Sequence, residues 1–574
     1  MLLDELKNLQ LSGDVDESPT TLEKYSTDAS IFLVKPEVVV FPKTVDDIKK
    51  LVCFVAEEKT SGRNISLTAR AAGTCMSGGP LTESIVVEFT RYFNHFLELG
   101  TDYAICEPGI FYRDFEKKTL EKNLIMPAYP SSREICAIGG MVANNCGGEK
   151  TFRYGKIERY VKSISMIMAD GKEYEFSKIT KSELDAKIAL ENFEGRIYRD
   201  IFKLINDNYD IIKRAKPNVT KNSAGYSLWD VYNKEADTFD LAKLMTGSQG
   251  TLGLMTKVKL NLVHPKKASR LLIVFIKDLS LIAKLCNIII PFSPESLETY
   301  DDKTFKLAIK FFPEILHQIR AGIIKIILKT LPEFWIILTS GIPKLVLLVE
   351  FTADTDLQAQ QNTKGAKKEL LKQMGNKIKV RITQSQEETQ EFWVIRRESF
   401  NLLRKHTSGM RTAPFIDDFS VKVEHLPEFL PKLYKILGHY KIIYTIAGHA
   451  GDGNFHIIPL MDLTKPISKD IIKNLSKEVF DLVLKFGGTI DSEHNDGIIR
   501  TPYLTQMFGG QVYDLFVKTK NIFDPLNIFN PGKKVPARNA SGIAEAGGGG
   551  TLEYAQNHIN IQKVKAGETK KQAS

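Results

Sequence analysis

Residues 69–80, ARAAGTCMSGGP, place Gly73, Gly78 and Gly79 between two strand-like runs, ISLTA (65–69) and SIVVEFT (84–90). Glycine lets a backbone turn sharply and bring its N–H groups close to an anion, and Thr74 and Ser77 add hydroxyl donors. The spacing is neither a Walker A loop nor GxGxxG, and taken alone it reads equally well as an ordinary Gly-rich turn. A second segment shifts that balance. MPAYPSSREICAIGGMVANNCGGEKTFRYGKIERYV (126–161) concentrates Pro, Ser, Gly and Asn beyond what a packed core needs. A third, LMTGSQGTLGLMT (244–256), carries three more glycines directly before a strand. Three such loops point to one large polyanionic ligand contacted from several sides.

Working outward, Thr44-Val45-Asp46-Asp47 is a helix start, and Ile48, Leu51, Val52 and Val55 follow at helical spacing. YVKSISMIM (160–168) turns at Asp170-Gly171 into KEYEF, a hairpin pattern. Leu252, Leu254, Val258, Leu260 and Leu262 mark a half-buried strand. These readings define a mixed α+β unit over 1–265. A second unit begins near Lys266 and contains an amphipathic helix at 468–488, with Gly487-Gly488 as its stop. From Ala537 the composition turns to Ala, Gly and Lys, which predicts a flexible tail over 537–574.

With 574 residues, two or three domains are expected. Hydrophobic content of 43% and charged content of 26% are globular values, and a net charge of +9 is modest at this length. It suits an anionic substrate, cofactor or membrane surface equally, and nothing in the pattern calls for nucleic acid. The six cysteines lack any Cys-x-x-Cys pair, which argues against an iron–sulfur cluster or zinc ribbon and for free thiols in a reducing cytosol. The first residues mix acids and bases rather than forming a secretory signal, so a cytoplasmic location is expected. Residues 303–348 are apolar but broken by Lys, Arg and Pro, with no run fit to span a bilayer. They read either as a basic amphipathic insert resting on the inner face of the cell membrane or as buried helices with solvated lysines.

The chemistry-bearing segment is GHAGDGNFH (448–456). On one straight strand His449 and His456 would face opposite sides, but across a hairpin turn they can converge. Asp491-Ser492-Glu493-His494-Asn495-Asp496 follows the 468–488 helix. Two histidines and a carboxylate with an open position form a common catalytic set for a divalent metal. Two other classes stand beside a redox enzyme: a metal-dependent hydrolase on the same residues, and a flavin-binding protein without turnover.

The motifs resemble the FAD-linked oxidases with a PCMH-type FAD-binding domain (the vanillyl-alcohol oxidase superfamily), in particular the D-lactate, glycolate and D-2-hydroxyglutarate dehydrogenase branch. The pattern Arg-Gly-Gly-Gly-Thr-x-x-Ser-Gly-Gly appears as Arg70-Ala71-Ala72-Gly73-Thr74-Cys75-Met76-Ser77-Gly78-Gly79. Pro130-Ser131-Ser132, Gly139-Gly140, Asn144-Asn145-Cys146-Gly147-Gly148 and Tyr154-Gly155 follow the second pattern. Gly247-Ser248-Gln249-Gly250-Thr251-Leu252-Gly253 follows the third, with Gln249 where Glu is commoner. YSTDASIFLVKPEVVVFPKTVDDI (25–48) and FDPLNIFNPGK (523–533), which includes Asn530, are also similar to this family.

The resemblance implies an α+β protein in five parts. These are an extension (1–33), a two-subdomain FAD-binding domain (34–265), a cap/substrate domain with an antiparallel sheet and helices (266–490), a segment returning to the FAD domain (491–536), and the tail (537–574). It implies non-covalent FAD, since no His occupies the first loop, and a divalent metal, zinc with manganese or iron as alternatives, on His449, His456 and Glu493. His494 would be the general base and Arg396, in FWVIRRESF, the clamp on the substrate carboxylate; Lys221, Asn222 and Tyr226 would lie near the pocket. The implied reaction is oxidation of a D-2-hydroxy acid to the 2-keto acid. Electrons would pass to a quinone, cytochrome or electron-transfer flavoprotein. Ile416 and Ile458 stand where hydroxyglutarate enzymes carry polar residues, which favours a lactate-like substrate over hydroxyglutarate or glycolate.

Overall fold

The computed structural model describes residues 2–304, 306, 342–406, 409–538 and 547–562. Val38–Phe41, Ile85–Glu88 and Leu67–Arg70 form a parallel set, with Asp14–Asp16 added antiparallel at one edge. VVVF and IVVE are buried along their whole length, as expected of parallel strands covered on both faces. The helix Val45–Thr60 starts where the sequence predicts. Thr44 accepts from the Asp47 N–H, Asp47 reaches back to the Thr44 N–H, and Ile48, Leu51, Val52 and Val55 pack on this sheet.

A second, seven-stranded antiparallel sheet follows. At its centre Leu254–Asn261 pairs with both Tyr103–Cys106 and Val161–Ile167. Leu254–Asn261 alternates buried and half-buried positions, and Val161–Ile167 with Glu173–Thr180 is the hairpin read at Asp170-Gly171. The third sheet is antiparallel and built from the second half of the chain, from Ala268–Ile276 to Asn454–Met461. Helices Ile282–Ile289, Asp356–Met374, Leu426–His439 and Ile467–Lys485 contribute to the large core around one of its faces. On the other face Phe392, Trp393 and Ile395, from the helix Gln386–His406, pack against Leu271, Ile273 and Phe275. Two sheets in the first half and one in the second make this an α+β fold.

The chain then returns to its first sheet. Leu67 N–H donates to Ile528 O (2.7 Å) and Asn530 N–H to Leu67 O (2.8 Å). The predicted flexible tail needs correction. Residues 547–562 are folded, with the helix Leu552–Asn557 capped by Thr551 and Ile559 bridged to Phe32. Ala and Gly here serve close packing: a Cβ on Gly532 would meet the backbone of Gly549, and Ala555 and Ile559 are buried. No helix of the described residues is long and apolar enough to cross a membrane. Most of the 303–348 stretch read as a membrane insert lies outside the described residues.

Candidate active site

The three Gly-rich loops meet around one cleft. Arg70, Gly73, Thr74 and Gly79 line it from the first loop, Gly139, Gly140 and Asn144 from the second, and Ser248, Gly250 and Gly253 from the third. Gly73 and Gly250 have φ of +72° and +67°, a region costly for other residues. A Cβ on Gly140 would make only an ordinary contact with Ala71 Cβ at 3.6 Å, whereas one on Gly139 would press on Pro108 at 2.5 Å. An extended wall of bare backbone with interspersed hydroxyls fits a long phosphate-bearing ligand such as FAD.

The remaining loop residues brace the cleft. Arg70 donates to the carbonyls of Tyr25 (3.2 Å) and Thr27 (2.8 Å), and Asn530 to those of Gly79 (3.0 Å) and Gln249 (2.7 Å). Ser77 O accepts from Ile498 N–H, and Gly78 lies against Phe32 and Ile498. Gly148 sits on the Tyr129 backbone, Gly155 on Arg159, and Gly247 N–H donates to Val142 O. Asn145 adopts a left-handed conformation and bonds Glu158, while Tyr154 OH reaches Glu295 (3.3 Å). Thr251 pairs with Tyr226. Ser131 is exposed, and Pro130 and Ser132 accept turn hydrogen bonds from Arg133, Ile135 and Cys136.

The histidines converge as the hairpin requires. Ile443–His449 pairs with Asn454–Met461 so that His456 lies opposite Ala447, two residues from His449 and on its face. Gly453, with φ of +62°, closes the turn, and the ring centroids are 5.2 Å apart. Glu493 Oε2 is 3.6 Å from His449 Nε2, and ligand atoms of His449, His456 and Glu493 lie within 4.8 Å of one another.

Each of these side chains has a partner that sequence reading missed. Glu298, directly across the sheet from His449, holds its Nδ1 at 2.5 Å and pairs through its other oxygen with Arg396 (3.0 Å). Asp417 Oδ1 holds His456 Nδ1 at 3.1 Å. Lys221, fully buried, sits 2.5 Å from Glu493 Oε1 and 3.1 Å from Asp452. The two imidazoles therefore keep Nε2 for an ion, and the donor set fits a divalent metal. Two other groupings of His and acid exist among the described residues, Asp417 with His456 and His494, and Asp418 with Glu493 and His494. In the first, Asp417 makes a hydrogen bond to His456 Nδ1 and an ion contact to His494 Nδ1.

His494 stacks on His456 (centroids 5.1 Å apart) with Nδ1 2.9 Å from Asp417 Oδ2. Burial alone would lower its pKa, but Asp418 and Asp417 overcome that and raise it to about 9. The expectation of a neutral imidazole therefore depends on a cation nearby. His449 follows the same logic: burial lowers its pKa, and Glu298 outweighs this to give about 9. Glu493 is held well below the usual carboxylate range because Lys221 and His449 override the effect of burial.

Of the three residues expected near the pocket, Lys221 reaches the cluster. Asn222 instead accepts from Thr489 OH (2.7 Å), and Tyr226 is buried against Thr251. Arg396 is committed to Glu298 by one nitrogen and keeps a buried Nε without a hydrogen-bond partner. Ile416 belongs to the core, whereas Ile458 is half-buried on the strand face of His456.

The loop carrying Glu493 and His494 is tied to all three flavin-side loops. Ser77 OH donates to His494 O (3.3 Å), Asn495 Nδ2 donates to Asn144 O (3.1 Å) and Gly247 O (2.9 Å), and Gln249 Oε1 accepts from Gly497 N–H (2.8 Å). Asp418 receives the N–H groups of Ser492, Glu493 and His494 on one oxygen (2.7–3.1 Å). Asp417 and Asp418 belong to FIDDFSV, a stretch whose reading settled on Ile416; two consecutive buried acids before a strand were the available signal.

Known proteins match along both halves. Residues 36–177 match the family model described as FAD binding domain, and residues 266–534 match that of FAD linked oxidases, C-terminal domain. The chain belongs to the FAD-linked oxidases with a PCMH-type FAD-binding domain, and it carries the FAD-binding domain of that family. It is similar to a D-2-hydroxyglutarate dehydrogenase of Pseudomonas putida, at 24% identity over 95% of this chain and 53% of the relative. It is also similar to a D-lactate dehydrogenase of Archaeoglobus fulgidus, at 25% over 92% of this chain and 98% of the relative. The glycolate oxidase subunit GlcD of Bacillus subtilis matches at 25% over 92% and 95%. The chain spans about half the length of the first curated relatives it matches. Among solved structures, 4-ethylphenol oxidase from Gulosibacter chungangensis superposes with a TM-score of 0.63 at 14% identity, covering 91% of this chain and 94% of that one. That likeness concerns the fold.

Proposed function

We propose that this chain is an FAD-dependent dehydrogenase that oxidises a D-2-hydroxy acid, lactate-like in size, to the 2-keto acid and passes electrons to an external acceptor. Relatives named for D-lactate, glycolate and D-2-hydroxyglutarate support the substrate class. The observation that carries the reading is the 493–497 loop, which joins a metal-competent cluster to each of the three loops around the flavin cleft.

When bound, FAD supplies a hydride acceptor, and a divalent ion on His449, His456 and Glu493 supplies a Lewis acid for the substrate oxygens. His494, its Nδ1 turned to Asp417, presents Nε2 to take the hydroxyl proton. The free Nε of Arg396 offers a donor to the substrate carboxylate. Ile458 gives the His456 face an apolar position, which suits a short substrate better than a second carboxylate.

Anaerobic addition of D-lactate to the flavin-loaded protein tests this. Bleaching of the flavin bands is expected, lost on chelation and restored by Zn²⁺ or Mn²⁺. His494→Ala is expected to retain FAD and to bleach roughly 10²–10⁴-fold more slowly. Wild-type speed in that variant would remove His494 from the base role, and undiminished bleaching after chelation would remove the metal. Peripheral membrane contact is a separate proposal, read from the basic, apolar composition of 303–348. Equal pelleting with anionic vesicles when that segment is deleted would end it.

A further inference from the structure

Asp417 is fully buried, and its two oxygens face two different imidazoles: Oδ1 lies 3.1 Å from His456 Nδ1 and Oδ2 2.9 Å from His494 Nδ1. The residue is anchored independently of those rings. Its carbonyl accepts from Arg500 Nη2 (2.5 Å), and the adjoining strand Phe419–Ser420 pairs with Phe455 and Asn454. Its neighbour Asp418, at φ of +67°, turns the other way to collect the loop N–H groups and Asn454 Nδ2 (3.1 Å). Asp418 fixes the loop backbone and comes within 4.0 Å of both Nδ1 atoms, while Asp417 makes the closer approach to each ring.

We propose that Asp417 is a positioning residue that sets, with a single carboxylate, the ring orientation and tautomer of both the metal ligand His456 and the base His494. This rests on the function proposed above and deepens it. A carboxylate has only acceptors, so the nitrogen that faces it in each ring, hydrogen-bonded in His456 and in a 2.9 Å ion contact short of hydrogen-bond geometry in His494, must carry the N–H. Both are thereby left with Nε2 on the opposite side, where one can bind an ion and the other can accept a proton. The two rings lie side by side over this carboxylate, stacked with 24° between their planes.

The arrangement makes a sharp demand on Asp417→Asn. An amide offers one acceptor oxygen and one N–H₂, so it can receive Nδ1–H from one ring only. The other ring must present an unprotonated Nδ1 and carry its proton on Nε2. If that ring is His456, the ligand lone pair is lost; if it is His494, the proton acceptor is lost. The variant, loaded with FAD, is therefore expected to show either a 10–100-fold weaker affinity for Zn²⁺ in competition with a chromophoric chelator or a roughly 10²–10⁴-fold slower bleaching by D-lactate. Its flavin content should be unchanged. Wild-type values for both would overturn the proposal.

A second measurement covers a variant that fails to fold. In the metal-free wild-type protein labelled with ¹⁵N-histidine and held above about pH 10, where an imidazole raised to about 9 has lost its second proton, the resonances of His456 and His494 must both report a protonated Nδ1 and a bare Nε2. They are assigned by single substitution of each ring. An unprotonated Nδ1 on either overturns the proposal, and protonation of both supports it. If the wild-type protein neither binds Zn²⁺ nor bleaches, the proposed function fails, while the ¹⁵N measurement still decides the role of Asp417.

Discussion

Gly147, in the loop read as a flavin contact, lies against Glu493: a Cβ at Gly147 would stand 2.7 Å from Glu493 Oε1 and 2.8 Å from Thr151 Oγ1. Neither Gly147 nor Glu493 lines the cleft. The glycine is required because a carboxylate from the far end of the chain needs its space. That carboxylate cannot simply retreat, since Lys221 grips the same oxygen. Gly147→Ala is expected to push Glu493 off its partners and to weaken Zn²⁺ binding about ten-fold, with FAD content unchanged. Chelator competition measures the first and the visible spectrum the second. Loss of flavin with metal affinity intact would show that the glycine serves the cleft after all.

Arg396 and His449 share Glu298, so the residue expected to clamp substrate is coupled to a residue proposed as a metal ligand. The guanidinium can face Glu298 with one edge and offer Nε elsewhere, which the single ammonium of lysine cannot do. Arg396→Lys should keep the pairing with Glu298 and lose the donor to substrate. KM for D-lactate is expected to rise, and kcat/KM to fall roughly 10–100-fold, about 1.4–2.7 kcal/mol. Steady-state kinetics with an artificial acceptor reads this directly. An unchanged KM with lower kcat would instead assign Arg396 to orienting Glu298.

Lys533 is buried, donates to Leu81 O (2.6 Å), and is pushed down to about 8 by burial, which outweighs the opposing pull of Glu83 and Asp28. The unfolded chain has an ordinary lysine at about 10.4, so between pH 8 and 10.4 the unfolded state binds more protons than the folded one. Stability linked to this group therefore increases as pH rises through that window and is lost as pH falls through 8. Lys533→Met removes the dependence. The melting temperature of the variant minus that of the wild type should be most favourable at pH 7 and decline towards pH 10. A difference that stays constant with pH would place the Lys533 titration outside this window.

The fold was legible where local pattern and tertiary role coincide. Thr44 caps a helix and that helix buries its predicted face; Asp170-Gly171 turns a hairpin whose strands are central to a sheet. The convergence of His449 and His456 was legible too, because a glycine-closed turn forces both onto one face. Glu298, Asp417 and Lys221's true partners were not. They reach the cluster across strand pairings and loop returns of 39 to 272 residues, as with Asp417 and His456, 39 apart, Glu298 and His449, 151 apart, or Lys221 and Glu493, 272 apart. Such separations leave no local periodicity to read. Gln249 shows the same limit. It departs from the family motif and lines the cleft, and its amide also accepts from Gly497 N–H and donates to Asn144 Oδ1 (3.2 Å), a link between loops that the motif does not disclose.

The ordered piece of the tail gives a final prediction. Leu33 N–H donates to His558 O (2.9 Å) and Asn560 N–H to Ile31 O (2.8 Å), so this segment clamps the chain on both sides of Phe32. Phe32 in turn is the side chain that a Cβ on Gly78 would strike at 2.8 Å, which ties the tail to the first flavin loop. Ile559→Ala removes buried methylene groups and should cost on the order of 2 kcal/mol. Truncation after residue 546 should lower the apparent melting temperature by on the order of several degrees and speed the release of FAD. Thermal scans with flavin fluorescence follow both events in one sample. A tail free in solution, as its composition suggests, would leave both readings at their wild-type values, whereas a clamp on Phe32 must move them together.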